Sequence, residues 1–318
     1  MPPSPHTSIG IALDEVDTPA LVLDLDALER NLLRMADAVK GSGVRLRPHA
    51  KSHKCAQIAR AQVAAGAVGV CCQKVSEAEA LVAGGVADVL VTNEIVGPQK
   101  IARLARLVRE AKVAVLADDA DNVADLDAAA RAEGVRLDVL VEVNVGADRC
   151  GIAPGGPALA LARGIAACRS LRFAGLHAYH GSAQHVRGPA DRRAAIAAAA
   201  EKARLTKTLI ENAGIACETV TGAGTGTFLL ESASRVFNEI QPGSYVFMDA
   251  DYNRNIWEEG WPRFEQSLFV LATVMSVPAP DRAVLDAGLK ASSVDSGCRR
   301  CTSVPASNMR KPRTSTAC

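Results

Sequence analysis

Residues 45–54 read RLRPHAKSHK, with two lysines and two histidines set among arginines directly after an apolar opening. Cationic neighbours and partial burial favour the neutral form of an ammonium, and a neutral amine is the nucleophile that carbonyl chemistry requires. Lys51 and Lys54 are therefore candidates for a Schiff-base lysine. A basic cluster of this kind is ordinarily a solvated turn, so the chemistry depends on what the rest of the chain brings to it. A second stretch, GAGTGT at residues 222–227, follows an apolar run. It departs from the dinucleotide fingerprint because Thr227 stands where the third glycine belongs. It suits a nest of backbone N–H groups around a single phosphate, with Thr225 and Thr227 supplying hydroxyls. Read alone, it is equally a flexible hairpin.

Bringing two such stretches together needs a scaffold, and the periodicity describes one. Short apolar runs occupy residues 44–50, 68–72, 88–93, 112–118, 136–144, 171–179, 217–224 and 238–247. Between most of them lie alanine-rich stretches, such as 55–66, 98–111, 120–134 and 191–214, with apolar residues at helical spacing. Eight strands joined by helical crossovers predict an α/β fold, a (β/α)8 TIM barrel. An open doubly wound sheet is the alternative.

In a TIM barrel the active site forms at the C-terminal ends of the strands, and the last loops often hold a phosphate. Lys51 ends the first strand, residues 144–149 follow the fifth, and Tyr179, His180 and His185 end or follow the sixth. The glycine loop follows the seventh, and PGSY, residues 242–245, interrupts the eighth. A lysine at one end of a phosphate-sized span, an arginine between and a glycine-rich loop opposite describe a pyridoxal 5'-phosphate pocket.

DTPALVLDLDALERN, RPHAKSHK, VGVCCQKVSEAEAL, GAGTGTF, QPGSYVFMDADY and VLDAGLKASSVDSG carry a resemblance over roughly residues 15–297. They resemble the D-threonine aldolase group of the alanine-racemase-like fold, relatives of 3-hydroxy-D-aspartate aldolases and D-serine dehydratases. The resemblance implies a barrel that binds pyridoxal phosphate, a C-terminal β domain and a homodimer. It implies Lys51, rather than Lys54, as the Schiff-base lysine, and Arg149 beside the pyridine nitrogen. It further implies Tyr179 along the ring, Gln184 and His185 near the cofactor and the substrate hydroxyl, and the phosphate at Gly224, Thr225, Gly226, Gly243, Ser244 and Tyr245. Of His177, His180 and His185, only His185 is read as functional, because a loop position lets a base move.

The implied organisation is a strand within residues 1–28 contributed to the β domain, a barrel over 29–250, and a partial β domain over 251–297. The tail, 298–318, reads as frameshifted or disordered: it has no acidic residue and no apolar periodicity. The group's divalent metal, manganese, magnesium or zinc, is implied on a His-Cys-Asp stretch near the C terminus. No histidine follows His185 here, so those ligands are expected to be missing and aldol cleavage to be slowed.

Lys and Arg number 36 against 35 Asp and Glu, so no global field draws nucleic acid or an anionic membrane. No apolar run is long enough to cross a bilayer, and the first residues lack the pattern of a signal peptide. A cytoplasmic protein with reduced core thiols is expected, acting on a small D-3-hydroxy amino acid. Retro-aldol cleavage to glycine and an aldehyde is the first reading. Dehydratase-type β-elimination is the second, and a non-catalytic cofactor-binding remnant the third.

Overall fold

The structure, a computed structural model, describes residues 9–288 and 291. The tail at 298–318 lies outside the described residues. Strand β1 (Ala20–Leu23) leads into helix α1 (Leu25–Val39), whose first turn is capped by Asp24 accepting from Ala27 N–H at 2.9 Å. Eight parallel strands follow: β2 (Arg45–Leu46), β3 (Val70–Cys72), β4 (Asp88–Glu94), β5 (Lys112–Ala117), β6 (Leu137–Glu142), β7 (Leu171–Ala178), β8 (Thr219–Gly222) and β9 (Glu239–Ile240). They pair in the order β2-β9-β8-β7-β6-β5-β4-β3. A single parallel bridge between His49 and Cys71 joins the two ends into a barrel. The expected (β/α)8 architecture and the place of each of its strands hold.

Helices α2 (Ala56–Ala64), α3 (Val75–Ala83), α4 (Pro98–Leu107), α5 (Ala120–Glu133), α6 (Gly156–Ala167), α7 (Pro189–Asn212) and α8 (Phe228–Ala233) alternate with the strands. Both α4 and α7 open on proline, whose missing N–H has no partner to lose in a first turn. Strands wrapped by helices bury both faces, and here the two faces form two layers. Cys71, Leu90, Leu116, Leu140 and Ala174 fill the barrel interior, while Val70, Val89, Val91, Val115, Val139 and Val141 pack outward against the helices.

The first and last barrel strands are much shorter than their apolar runs. Pro48 and Pro242 each stand just past two ladder residues, and proline has no N–H to continue a ladder. Isolated bonds take over: Cys71 N–H donates to Pro48 O at 2.8 Å and His49 N–H to Pro242 O at 3.1 Å. Ring closure then leans on Arg47, a buried side chain on the segment after β2. Its Nε donates to Glu239 Oε1 at 2.9 Å and its Nη1 to Asp88 Oδ1 at 2.6 Å, which ties β2 to β9 and β4.

Outside the barrel, β1 pairs antiparallel with β10 (Leu268–Leu271), and β11 (Val274–Ala279) pairs with β12 (Arg282–Leu285). Strands β10 and β11 are separated by the short break at residues 272–273.

Removing Arg47 takes the buried cation from between two carboxylates, leaving Glu239 with the half-exposed Arg45 at 3.4 Å and Asp88 with the exposed Lys112 at 3.0 Å. Arg47→Met should destabilise the protein by about 3–5 kcal/mol, the usual effect of deleting one partner of a buried ion pair. Urea unfolding measures this, and a loss near zero would mean that the ring is held elsewhere.

Candidate active site

The C-terminal ends of the strands surround a cleft with about 490 Å³ of empty space, its open mouth included. His49, buried at the end of the β2 segment, is oriented by a directed chain of hydrogen bonds. Lys51 N–H donates to its Nδ1 at 3.3 Å, so Nε2 carries the hydrogen and donates to Thr92 Oγ1 at 2.9 Å. The Thr92 hydroxyl in turn donates to Cys72 O at 3.2 Å. Burial, and then the nearby Lys51 charge, hold His49 well below the usual histidine value, so the ring is neutral, as that chain requires.

Lys51 sits in the short turn Ala50–Ser52 and lines the cleft. Burial of its amine, followed by the charge of Arg149, lowers it below the ordinary lysine value. The two cations flank one ring: Lys51 Nζ lies 5.7 Å and Arg149 Cζ 6.0 Å from the centre of Tyr179. Burial pushes the Tyr179 phenol up to about 12. Lys54 instead points away, 60% exposed and paired with Glu77 at 3.7 Å. Arg149 Nη2 lies 3.6 Å from Glu142 Oε1, behind the cleft wall.

Gly224, Thr225, Gly243 and Ser244 also line the cleft, with Gly243 packed against His49 and Ser52 on either side of the lysine. The loop that carries the first two is held from behind by Gln184. A Cβ on Gly224 would stand 2.4 Å from Gln184 Oε1, and one on Gly226 would stand 2.6 Å from Gln184 O. Gln184 Oε1 accepts from Gly226 N–H at 2.9 Å, and its Nε2 donates to Thr227 Oγ1 at 2.8 Å. Gln184 is thus a brace for the loop rather than part of the cleft wall, and the N–H of Gly226 is already taken. Tyr245 also departs from expectation. Its ring is buried, its hydroxyl accepts from Gln62 Nε2 at 3.0 Å, and its N–H donates to Thr225 Oγ1 at 3.1 Å. Neither group of Tyr245 reaches the cleft. His185 stands at the rim, 49% exposed, with Nδ1 2.7 Å from Asp251 Oδ2 and its ring 5.2 Å from that of Tyr252, a cleft residue.

Lys51 and Arg149 are the charged side chains among the described residues that line the cleft, and no carboxylate joins them. That donor set fits a cofactor with an aldehyde at one end and a phosphate dianion at the other. Among the described residues no cluster of His, Cys, Asp and Glu is arranged to hold a metal ion. The lining residues that sequence reading passed over are His49, Gln73, Thr92, His177, Gln241 and Tyr252. Two had a signal: His49 and His177 each precede a chosen residue, Lys51 or Tyr179, by two, which in an extended strand puts both on one face.

Fold and site together define a barrel enzyme whose cleft is built around a lysine and an anion cradle. The alanine racemase N-terminal domain matches residues 23–251 and the putative serine dehydratase domain residues 267–316. The D-threonine aldolase of Arthrobacter sp. is 50% identical over 293 residues, 92% of this chain and 77% of that protein. The 3-hydroxy-D-aspartate aldolase of Paracoccus denitrificans (strain Pd 1222) is 48% identical over 91% of this chain and 76% of its own. The crystal structure of D-threonine aldolase from Filomicrobium marinum superposes with a TM-score of 0.89 at 52% identity, covering 92% of this chain and 78% of that one. The chain belongs to the alanine racemase N-terminal domain family, in the group of the D-threonine and 3-hydroxy-D-aspartate aldolases.

Beneath the cradle, Thr227 Oγ1 donates to Glu231 Oε1 at 2.7 Å, while Glu231 Oε2 is buried without a partner. Burial pushes the Glu231 carboxyl up to about 7. Between its ordinary value of 4.5 and about 7 the folded protein binds more protons there than the unfolded chain, so stability falls as pH rises through that window. Glu231→Gln keeps an acceptor for Thr227 and should flatten this fall, as read by urea unfolding across the window. An equally steep fall in the variant would assign the slope to another group.

Proposed function

We propose that the protein is a pyridoxal phosphate-dependent lyase that cleaves D-3-hydroxy amino acids to glycine and an aldehyde. The observation that carries this reading is the pairing of Lys51 and Arg149 about Tyr179, in one cleft with Gly224, Thr225, Gly243 and Ser244 and free of carboxylates. When bound, pyridoxal phosphate supplies an electron sink for the bond broken at Cα.

The chain's own residues do the rest. Lys51 offers an amine whose lowered pKa raises its neutral fraction, the form that takes hold of the cofactor aldehyde. Gly224, Thr225, Gly243 and Ser244 would hold the phosphate through their amide groups and hydroxyls. Gly226 and Tyr245 would serve that cradle indirectly, through their bonds to Gln184 and Thr225. Arg149, which keeps its proton at all working pH values, would keep the cofactor's ring nitrogen unprotonated. At the rim, Asp251 accepts the Nδ1–H of His185, which leaves Nε2 to take the proton of the substrate's β-hydroxyl.

A β-elimination reading rests on one finding, the likeness to the D-threo-3-hydroxyaspartate dehydratase of Delftia sp. HT23, with a TM-score of 0.79 at 30% identity. The products separate the two: glycine and an aldehyde, or ammonia and a keto acid.

Lys51→Ala should abolish the visible absorbance of bound cofactor and its retention after borohydride, whereas Lys54→Ala should keep both, because Lys54 is engaged with Glu77 outside the cleft. Product analysis of the wild type with D-threonine, with and without added manganese, completes the test. Retained cofactor absorbance in Lys51→Ala, or ammonia without glycine, would overturn the corresponding part of the reading.

A further inference from the structure

Behind Arg149, three buried polar atoms lack hydrogen-bond partners: Glu94 Oε1, Glu142 Oε2 and His177 Nδ1. They come from the ends of β4 and β6 and from β7, three elements that converge beneath the cleft. The surrounding bonds fix the state of His177. Gln241 Nε2 donates to Thr221 Oγ1 at 2.8 Å, which turns the amide oxygen of Gln241 to His177 Nε2 at 3.1 Å. An amide oxygen only accepts, so Nε2 carries the hydrogen. Burial pushes His177 down to about 4, so the ring is neutral and Nδ1 is a bare lone pair. That lone pair faces Glu142 Oε2 at 3.6 Å.

A lone pair against an ionised carboxylate leaves two buried acceptors opposed, whereas a proton on Oε2 turns the opposition into attraction and becomes a hydrogen bond once the 3.6 Å gap closes slightly. We propose that Glu142 is a positioning residue that holds a proton on Oε2, donated to His177 Nδ1, so that Arg149 keeps its positive charge directed at the cleft. The proposal deepens the proposed function, since it rests on Arg149 facing the cofactor ring.

Around Glu142, burial raises the carboxyl against the lowering effects of a hydrogen bond from Glu94 and of Arg149, and Asp118 adds to the rise. Glu94 faces this carboxyl from β4, Asp118 from the end of β5, Arg149 and Cys150 from its own following loop, and His177 from β7. Asp118 already accepts from Gly151 N–H at 2.9 Å. Burial raises Glu142, and burial together with the neighbouring Glu142 raises Glu94 to about 7. Two carboxylates in contact beside one guanidinium retain a proton between them. With both ionised, the single charge of Arg149 would be outweighed, and the ring nitrogen would face a net negative surface.

Three measurements on the holoprotein test this, the first two at neutral pH. The protonated-carboxyl band in the infrared should be stronger in the wild type than in Glu142→Gln, whose amide can donate to His177 and accept from Arg149 in its place, while Glu94 and Glu231 contribute to the band in both. Bands of equal strength overturn the proposal. Nitrogen NMR of histidine-labelled wild type needs no variant and should find His177 protonated at Nε2, with Nδ1 shifted by an accepted hydrogen bond. A free Nδ1 lone pair, or a proton covalently on Nδ1, overturns the proposal whatever the infrared shows. The visible absorbance of bound cofactor should move in the wild type as rising pH strips the proton from Glu142, and move less in Glu142→Gln; an immobile wild-type spectrum overturns the link to Arg149. Should the difference in band strength be present in a protein that takes up no pyridoxal phosphate, the proposed function fails while the proton on Glu142 stands.

Discussion

Strands β2 and β9 hold each other through a two-residue ladder, and β2 meets β3 through one bridge, so main-chain bonding is sparse where the barrel closes. Arg47 compensates by placing one buried guanidinium between carboxylates of β9 and the start of β4. Everything that lines the cleft near Lys51 descends from that closure. The turn carrying Lys51 leaves directly from the β2 segment, and the Gly243 and Ser244 end of the cradle leaves from β9. Were the ring to open there, the turn carrying Lys51 would lose its hold on the loop carrying Gly243 and Ser244.

The site is layered by charge. Cations and neutral polar groups face the cleft, while Glu94, Glu142 and Glu231 stand one layer behind it. Burial raises the pKa of all three carboxyls. A carboxylate on the cleft wall would repel a phosphate dianion and cancel the charge of Arg149. The same groups placed behind the wall orient Arg149 and Thr227 without presenting a full negative charge to the cleft.

The barrel was legible in the sequence because eight apolar runs recur at regular spacing, and long runs such as 136–144 and 171–179 became strands close to their expected extents. The runs around Pro48 and Pro242 were apolar enough to read as full strands, but hydropathy carries no information about the missing N–H. Among site residues, Lys51, Arg149 and Tyr179 line one cleft because each ends or follows a strand on the same rim. Gln184, Gly226 and Tyr245 belong to segments that do approach the cradle, yet they act from behind it. Motif position locates a backbone, and the direction of a side chain is decided by partners far away in sequence, here Thr227 and Gln62. Glu142 was invisible for the same reason: it reads as one polar residue ending an apolar strand, and its three neighbours come from three other elements.

The chain of bonds through His49 bears on how Lys51 can move. Its main-chain N–H is committed to Nδ1 of His49, whose far side is committed to Thr92 on β4. Rotating the lysine's backbone would unseat a neutral imidazole and a threonine together, in a buried place where neither finds water. The peptide is therefore a fixed pivot, and all travel of the amine between one carbonyl carbon and another is left to the torsions of its flexible stem. Loss of His49 would show itself as disorder in the pivot, a broader distribution of amine positions, rather than as a change in the amine itself.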